Sequence, residues 1–152
     1  MLALPMSFAL RAVYTYRGGY PREADMLGSS EAFQGFAVPD VAAAEKFYGE
    51  TLGLNVEMQE QMGLTLHLGG GRDVFIYPKP DFQPATYTIL NFPVPDIDAA
   101  VDGLTERGLK FERYDGFEQD EKGIARPETP EQGPQIAWFK DPAGNIMSVL
   151  QQ

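Results

Sequence analysis

Short runs of alternating apolar and polar residues fill most of the chain after residue 31, and two Ala-rich stretches of helical character interrupt them. VEMQE, GLTLHL and DVFIYP in the first half read as strands, as do KFERY, QIAWF and NIMSVL in the second. FKDPAGNIMSVLQ (139–151) reads as strand, tight turn, strand, with Ser148 the one small hydroxyl in an apolar return strand. The pattern repeats. FQGFAVPDVAAAEKFYGETLGLNVE (33–57) is echoed by ILNFPVPDIDAAVDGLTERGLKFE (89–112), with Val38-Pro39-Asp40 matching Val94-Pro95-Asp96 and Gly53 matching Gly108.

The two halves share one local logic. Asp40 and Asp96 suit the N-cap, where a carboxylate accepts orphan N–H groups of the first helical turn. Ala42, Ala43 and Ala44, like Ala99 and Ala100, favour helix and let it lie close to a sheet. Gly53 and Gly108 suit the left-handed residue that ends a helix. Each half is therefore a βαβββ unit, spanning 31–80 and 86–152, with PKPDFQPATY as the joint. Residues 114–134 interrupt the second unit. They are acidic and rich in Gly and Pro, and predict a long loop, of the kind often found as a lid or a disordered segment, with an edge strand at Gly123–Arg126.

Strand parity separates a core face from an opposite face. Phe36, Val38, Leu90, Phe92, Val94, Val74, Ile76, Phe139, Met147 and Val149 fall on the helix side, with the leucines of GLTLHL. Opposite them fall Phe33, Thr65, His67, Phe75, Tyr77, Ile89, Asn91, Trp138, Ile146, Ser148 and Leu150. An aromatic concave wall with a few convergent polar groups suits a small molecule. The same face would also serve for burial between halves or in a dimer.

Composition narrows the chemistry. The formal charge of −10 provides no basic stripe for nucleic acid and no attraction to anionic lipid. With no cysteines, disulfides, thiolate metal sites and a cysteine nucleophile are excluded, and a cytoplasmic location is the simple expectation. Residues 1–30 are mildly apolar, lack a basic start, and are broken by Pro5 and Arg11, so they predict an extension packed on the domain or crossing to another subunit. His67 is the only histidine and the one candidate general base, although a strand histidine bonded to a neighbour accounts for it equally. Gly69-Gly70-Gly71 joins two strands and predicts a hairpin turn rather than a phosphate cradle. Glu118, Asp120 and Glu121 form an acidic run that is either solvated or able to draw a cationic ligand.

The paired units, with FYGETLGL in the first and DPAGN in the second, resemble the vicinal oxygen chelate superfamily, which includes glyoxalase I, extradiol dioxygenases and bleomycin-resistance proteins. The resemblance implies an α+β fold in which two tandem βαβββ modules form a curved mixed-sheet cup with helices outside, and it implies a homodimer. It also implies a divalent metal held by His and Glu at positions that are here Phe33, Ile89 and Ser148, with a further ligand near Phe75–Tyr77. None of these is an imidazole or a carboxylate. The expectation is a protein without metal or other cofactor that binds a small apolar or aromatic ligand, with some preference for cations. Phe33, His67, Phe75, Tyr77, Ile89, Asn91, Trp138 and Ser148 would line the site. The alternatives are a glyoxalase I-like lyase or isomerase, a dioxygenase-related activity, and a metal-free enzyme using His67.

Overall fold

The structure, a computed structural model, describes residues 27–28 and 30–152. Most of the extension expected at 1–30 lies outside the described residues. The chain divides into two units, Met1–Gln34 and Gly35–Gln152. In the first, Leu27 and Gly28 make a turn, residues 30–33 have no regular secondary structure, and Phe33 is half-exposed.

The second unit follows the repeat. Strand β1 (Gln34–Val38) leads to helix α1 (Val41–Lys46), then β2 (Asn55–Gln59), β3 (Gly63–Leu68) and β4 (Arg72–Pro78). Strand β5 (Thr88–Pro93) leads to α2 (Ile97–Glu106), then β6 (Gln135–Lys140) and β7 (Ile146–Gln151). The strands form two sheets, ordered β1-β4-β3-β2 and β5-β7-β6. Both helices start as the sequence predicts: Asp40 and Asp96 accept from the N–H of Ala43 and Ala99, each at 3.0 Å. Gly53 (φ 71°) and Gly108 (φ 87°) hold the left-handed backbone that ends each helical segment.

One apolar core runs through both modules. Val38, Leu64, Leu66, Val74, Ile76, Phe139, Met147 and Val149 are buried with Ala44, Ile97 and Val101 from the helices. Each large side chain so buried contributes about 1.5–3 kcal/mol of transfer free energy. The two family-like segments meet inside this core. After α1 the helix loosens into a π-helical turn, Phe47–Thr51, carrying the fully buried Tyr48. The Tyr48 hydroxyl donates to Oδ2 of Asp141 at 2.8 Å, 93 residues away in sequence. Oδ1 of Asp141 accepts from the backbone of Ala143 (2.9 Å) and Asn145 (2.8 Å), which ties the DPAGN turn. The Asn145 amide donates to Asp141 Oδ2 and to the Ala37 carbonyl. A buried carboxylate with its lone pairs occupied thus joins the first module to the second.

The second module departs from the repeat. KFERY is not a strand: only Phe111 bridges, to Phe139, before the chain turns away. Farther along β6, the empty place beside Ile136 is taken by Ala125, the only residue of the expected 123–126 edge strand that bridges β6. A side chain replaces the missing ladder. Gln119 accepts from the Tyr114 N–H and donates to the carbonyls of Glu112 and Gly123. The long loop is therefore ordered and fastened to α2, where Arg126 forks onto both Asp98 oxygens at 2.9 Å and Lys122 reaches Asp102 at 2.8 Å. Asp120, expected to be solvated or cation-seeking, accepts instead from Arg126 and from the backbone of Lys122 and Ile124.

Candidate functional site

Away from the core, the second sheet presents one row built by strand register. Asn91 lies beside Ser148, and Ser148 lies opposite Trp138. Ser148 is fully buried and its hydroxyl donates to Asn91 Oδ1 at 2.6 Å. Trp138 is buried because the interrupting loop folds onto it. Phe117 lies 4.8 Å from the indole, ring centre to ring centre, and Tyr114 meets it edge-on at 5.7 Å. Phe117 itself remains 55% exposed and extends the aromatic wall outward. The Tyr114 hydroxyl is buried with no hydrogen-bond partner among the described residues, and that burial pushes its pKa up.

Sequence parity fails at one residue of this row. The register slips between Thr88 and Leu90, so Thr88 pairs with Ile146 and Ile89 becomes the extra residue of a bulge. Ile89 packs against the core.

The first sheet carries a second group. Phe75 and Tyr77 stack at 6.2 Å on β4, and the buried Thr65 pairs with Phe75 across the ladder. Thr65 Oγ1 is buried without a partner among the described residues. His67 faces Asp73 across the hairpin, with Nδ1 2.9 Å from an Asp73 oxygen and Nε2 3.1 Å from a Glu57 oxygen. The bonds to Asp73 and then Glu57 raise the His67 pKa above its ordinary value. Each ring nitrogen thus has a carboxylate partner, and the protonated ring can donate to both. No hydrogen bond or ring contact joins His67, Phe75 and Tyr77 to Asn91, Ser148 and Trp138. Phe33, the remaining expected site residue, belongs to the first unit.

The residues do not fit a metal. Ile89 and Phe33 offer carbon, and the Ser148 hydroxyl is engaged with Asn91. Glu57 and Asp73 grip opposite nitrogens of His67, so the three groups diverge from any common point. Among the described residues no group of three or more His, Cys, Asp or Glu is placed to hold an ion. A cavity of about 160 Å³ beside Asp40, Ala44 and Asp141 lies at the structural turn, where both carboxylates already have partners.

The family model for the Glyoxalase/Bleomycin resistance protein/Dioxygenase superfamily matches residues 32–149. The chain belongs to this superfamily. Among solved structures, this superfamily member is similar to TnmS3, an antibiotic-binding protein from Streptomyces sp. CB03234, at 25% identity and TM-score 0.56, over 81% of this chain and 97% of that one. A glyoxalase/bleomycin resistance protein from the same organism is 26% identical with TM-score 0.53, over 79% of this chain and 100% of that one. A bleomycin-binding protein crystallised with bleomycin shares the fold at 21% identity and TM-score 0.57, over 82% and 99% of the two chains. No curated protein matches the chain.

The aromatic cover of Trp138 and the partners of His67 escaped the sequence reading. Asp73 was within reach: a hairpin centred on Gly70 places residue 67 opposite residue 73. Tyr114 and Phe117 flank an Asp-Gly pair within the acidic loop, and the long-range pairing of Phe111 with Phe139 and of the Glu112 N–H with the Trp138 carbonyl brings the two rings to the indole.

Proposed function

We propose that this superfamily member is a metal-independent small-molecule binding protein that sequesters a flat apolar or aromatic ligand. The ligand lies against the Trp138–Phe117 wall beside Asn91 and Ser148. One observation carries the reading. At the position where the superfamily resemblance calls for a metal-binding carboxylate, a buried hydroxyl is tied to an exposed amide next to an aromatic wall. Such a surface offers stacking and hydrogen bonding and no Lewis acid. The antibiotic-binding activity named for TnmS3 supports small-ligand binding at the superfamily level. Phe75, Tyr77 and His67 form a separate group on the first sheet. Catalysis by His67 is disfavoured because both nitrogens are held by carboxylates. A cytoplasmic homodimer belongs to the same reading, and light scattering checks the dimer.

Trp138 is the only tryptophan, so its emission reports the site directly. A panel of planar aromatic compounds titrated with and without chelator should include ligands that quench it at one per chain, equally in both conditions. Those ligands should be recovered unchanged. Binding that requires added metal, or conversion of the ligand, would overturn the proposal.

A further inference from the structure

The hydrogen bond between Ser148 and Asn91 fixes which end of the Asn91 amide faces outward. At 2.6 Å it falls within the usual O–H···O range and is shorter than ordinary N–H···O bonds. Donation by the serine is also the only arrangement that satisfies its hydrogen. Ser148 is fully buried, and Asn91 Oδ1 is its sole hydrogen-bond partner among the described residues. Were the amide flipped, the buried hydroxyl hydrogen would be left without an acceptor. The oxygen of Asn91 is therefore turned to the sheet. Its NH₂ group has no hydrogen-bond partner among the described residues, and the residue is exposed.

From this we infer that Asn91 is a specificity-determining donor which reads a neutral acceptor oxygen, a carbonyl above all, on the edge of a planar ligand, and that Ser148 is the residue that positions it. The inference rests on the binding reading above and deepens it. Trp138 lies two strands from Asn91 in the same row, about 10 Å by ordinary strand spacing, which matches a ligand of two or three fused rings. Asn91, Ser148 and Trp138 carry no charge. None of the three supplies an anion to pair with a cation, so preference among planar ligands of one shape falls to the acceptor that the Asn91 amide reads.

Two probes of the same shape separate these possibilities: 9-acridone, with a carbonyl, and 10-methylacridinium, a cation without one. Quenching of Trp138 in the full chain should show acridone bound more tightly by wild type. Asn91→Leu should weaken acridone about 5- to 10-fold, one hydrogen bond's worth, and leave methylacridinium unchanged. Asn91→Asp, which removes the donor and adds an anion, should reverse the order of the probes. Ser148→Ala should erode the ratio between the probes rather than weaken both. Asn91→Asp keeps an acceptor for Ser148, whereas Asn91→Leu strands the buried hydroxyl and should lower the thermal midpoint; a single cooperative unfolding transition above the assay temperature verifies that all three variants keep the fold. Tighter binding of the cation by wild type, or unchanged acridone affinity in Asn91→Leu, would overturn the donor assignment while leaving the binding reading in place. Failure of both probes to quench Trp138 would also overturn the assignment, and the wider aromatic panel decides separately whether the pocket reading falls with it.

Discussion

Removing one oxygen atom, by Tyr48→Phe, should cost this protein about 2 kcal/mol. The hydroxyl donates to Asp141 at 2.8 Å, Tyr48 is fully buried, and Asp141 is only 5% exposed, so water cannot replace the bond. Hydrogen bonds to charged partners contribute about 1.5–3 kcal/mol net. The ring itself is retained against Phe47 (5.2 Å) and Phe36 (6.1 Å), so no cavity term is added. Burial, together with the Asp141 carboxylate, also drives the phenol pKa far above its ordinary value, so the proton stays on the donor at every accessible pH. For a chain of 152 residues, about 2 kcal/mol lowers the thermal midpoint by roughly 4–8 °C. Urea unfolding followed by Trp138 emission should show a lower midpoint with an unchanged slope. Tyr87→Phe, at an exposed tyrosine, is the matched control and should stay within about 0.5 kcal/mol. A Tyr48→Phe loss no larger than the control's would refute the claim that this bond joins the two modules.

His67 should titrate as a single resolved ring in NMR, with its midpoint above the ordinary value of 6.5, because Asp73 and Glu57 both favour the charged form. Its stabilisation relative to His67→Gln is complete below that ordinary value and is lost as pH rises through the raised folded value. The site is partly exposed, so the difference should stay under about 1 kcal/mol, and stability measured across pH checks both sign and size. Gln119→Ala should release the Tyr114 amide, which donates to the Gln119 side chain at 2.8 Å, and hydrogen exchange there should quicken by about tenfold or more.

Much of this architecture was legible from local pattern. Asp caps, left-handed glycines and two-residue parity act over a few neighbours, and Asp40, Asp96, Gly53, Gly108 and the buried Leu64–Ile76 ladder follow from them. What stayed hidden depends on distant partners. KFERY has the strand pattern, yet Gln119, nine residues beyond Lys110, supplies the hydrogen bonds a ladder would have made. The bulge at Ile89 shifts the register by one residue without any Gly to mark it. The acidic run appeared unpaired because Arg126, which neutralises Asp120, also forks onto Asp98 across 28 residues. At the site, parity brought Asn91, Ser148 and Trp138 to one face. It carried no information about which loop covers the indole.

Metal stoichiometry decides whether this protein holds its ligand without metal. The full chain, purified without a metal-affinity tag and stripped with chelator, would be offered manganese, nickel, iron and zinc in turn. Metal per chain would then be counted by elemental analysis. No stoichiometric uptake of any of the four is expected, with aromatic-ligand quenching of Trp138 unchanged. Uptake of one ion per chain, coupled to ligand binding, would contradict it.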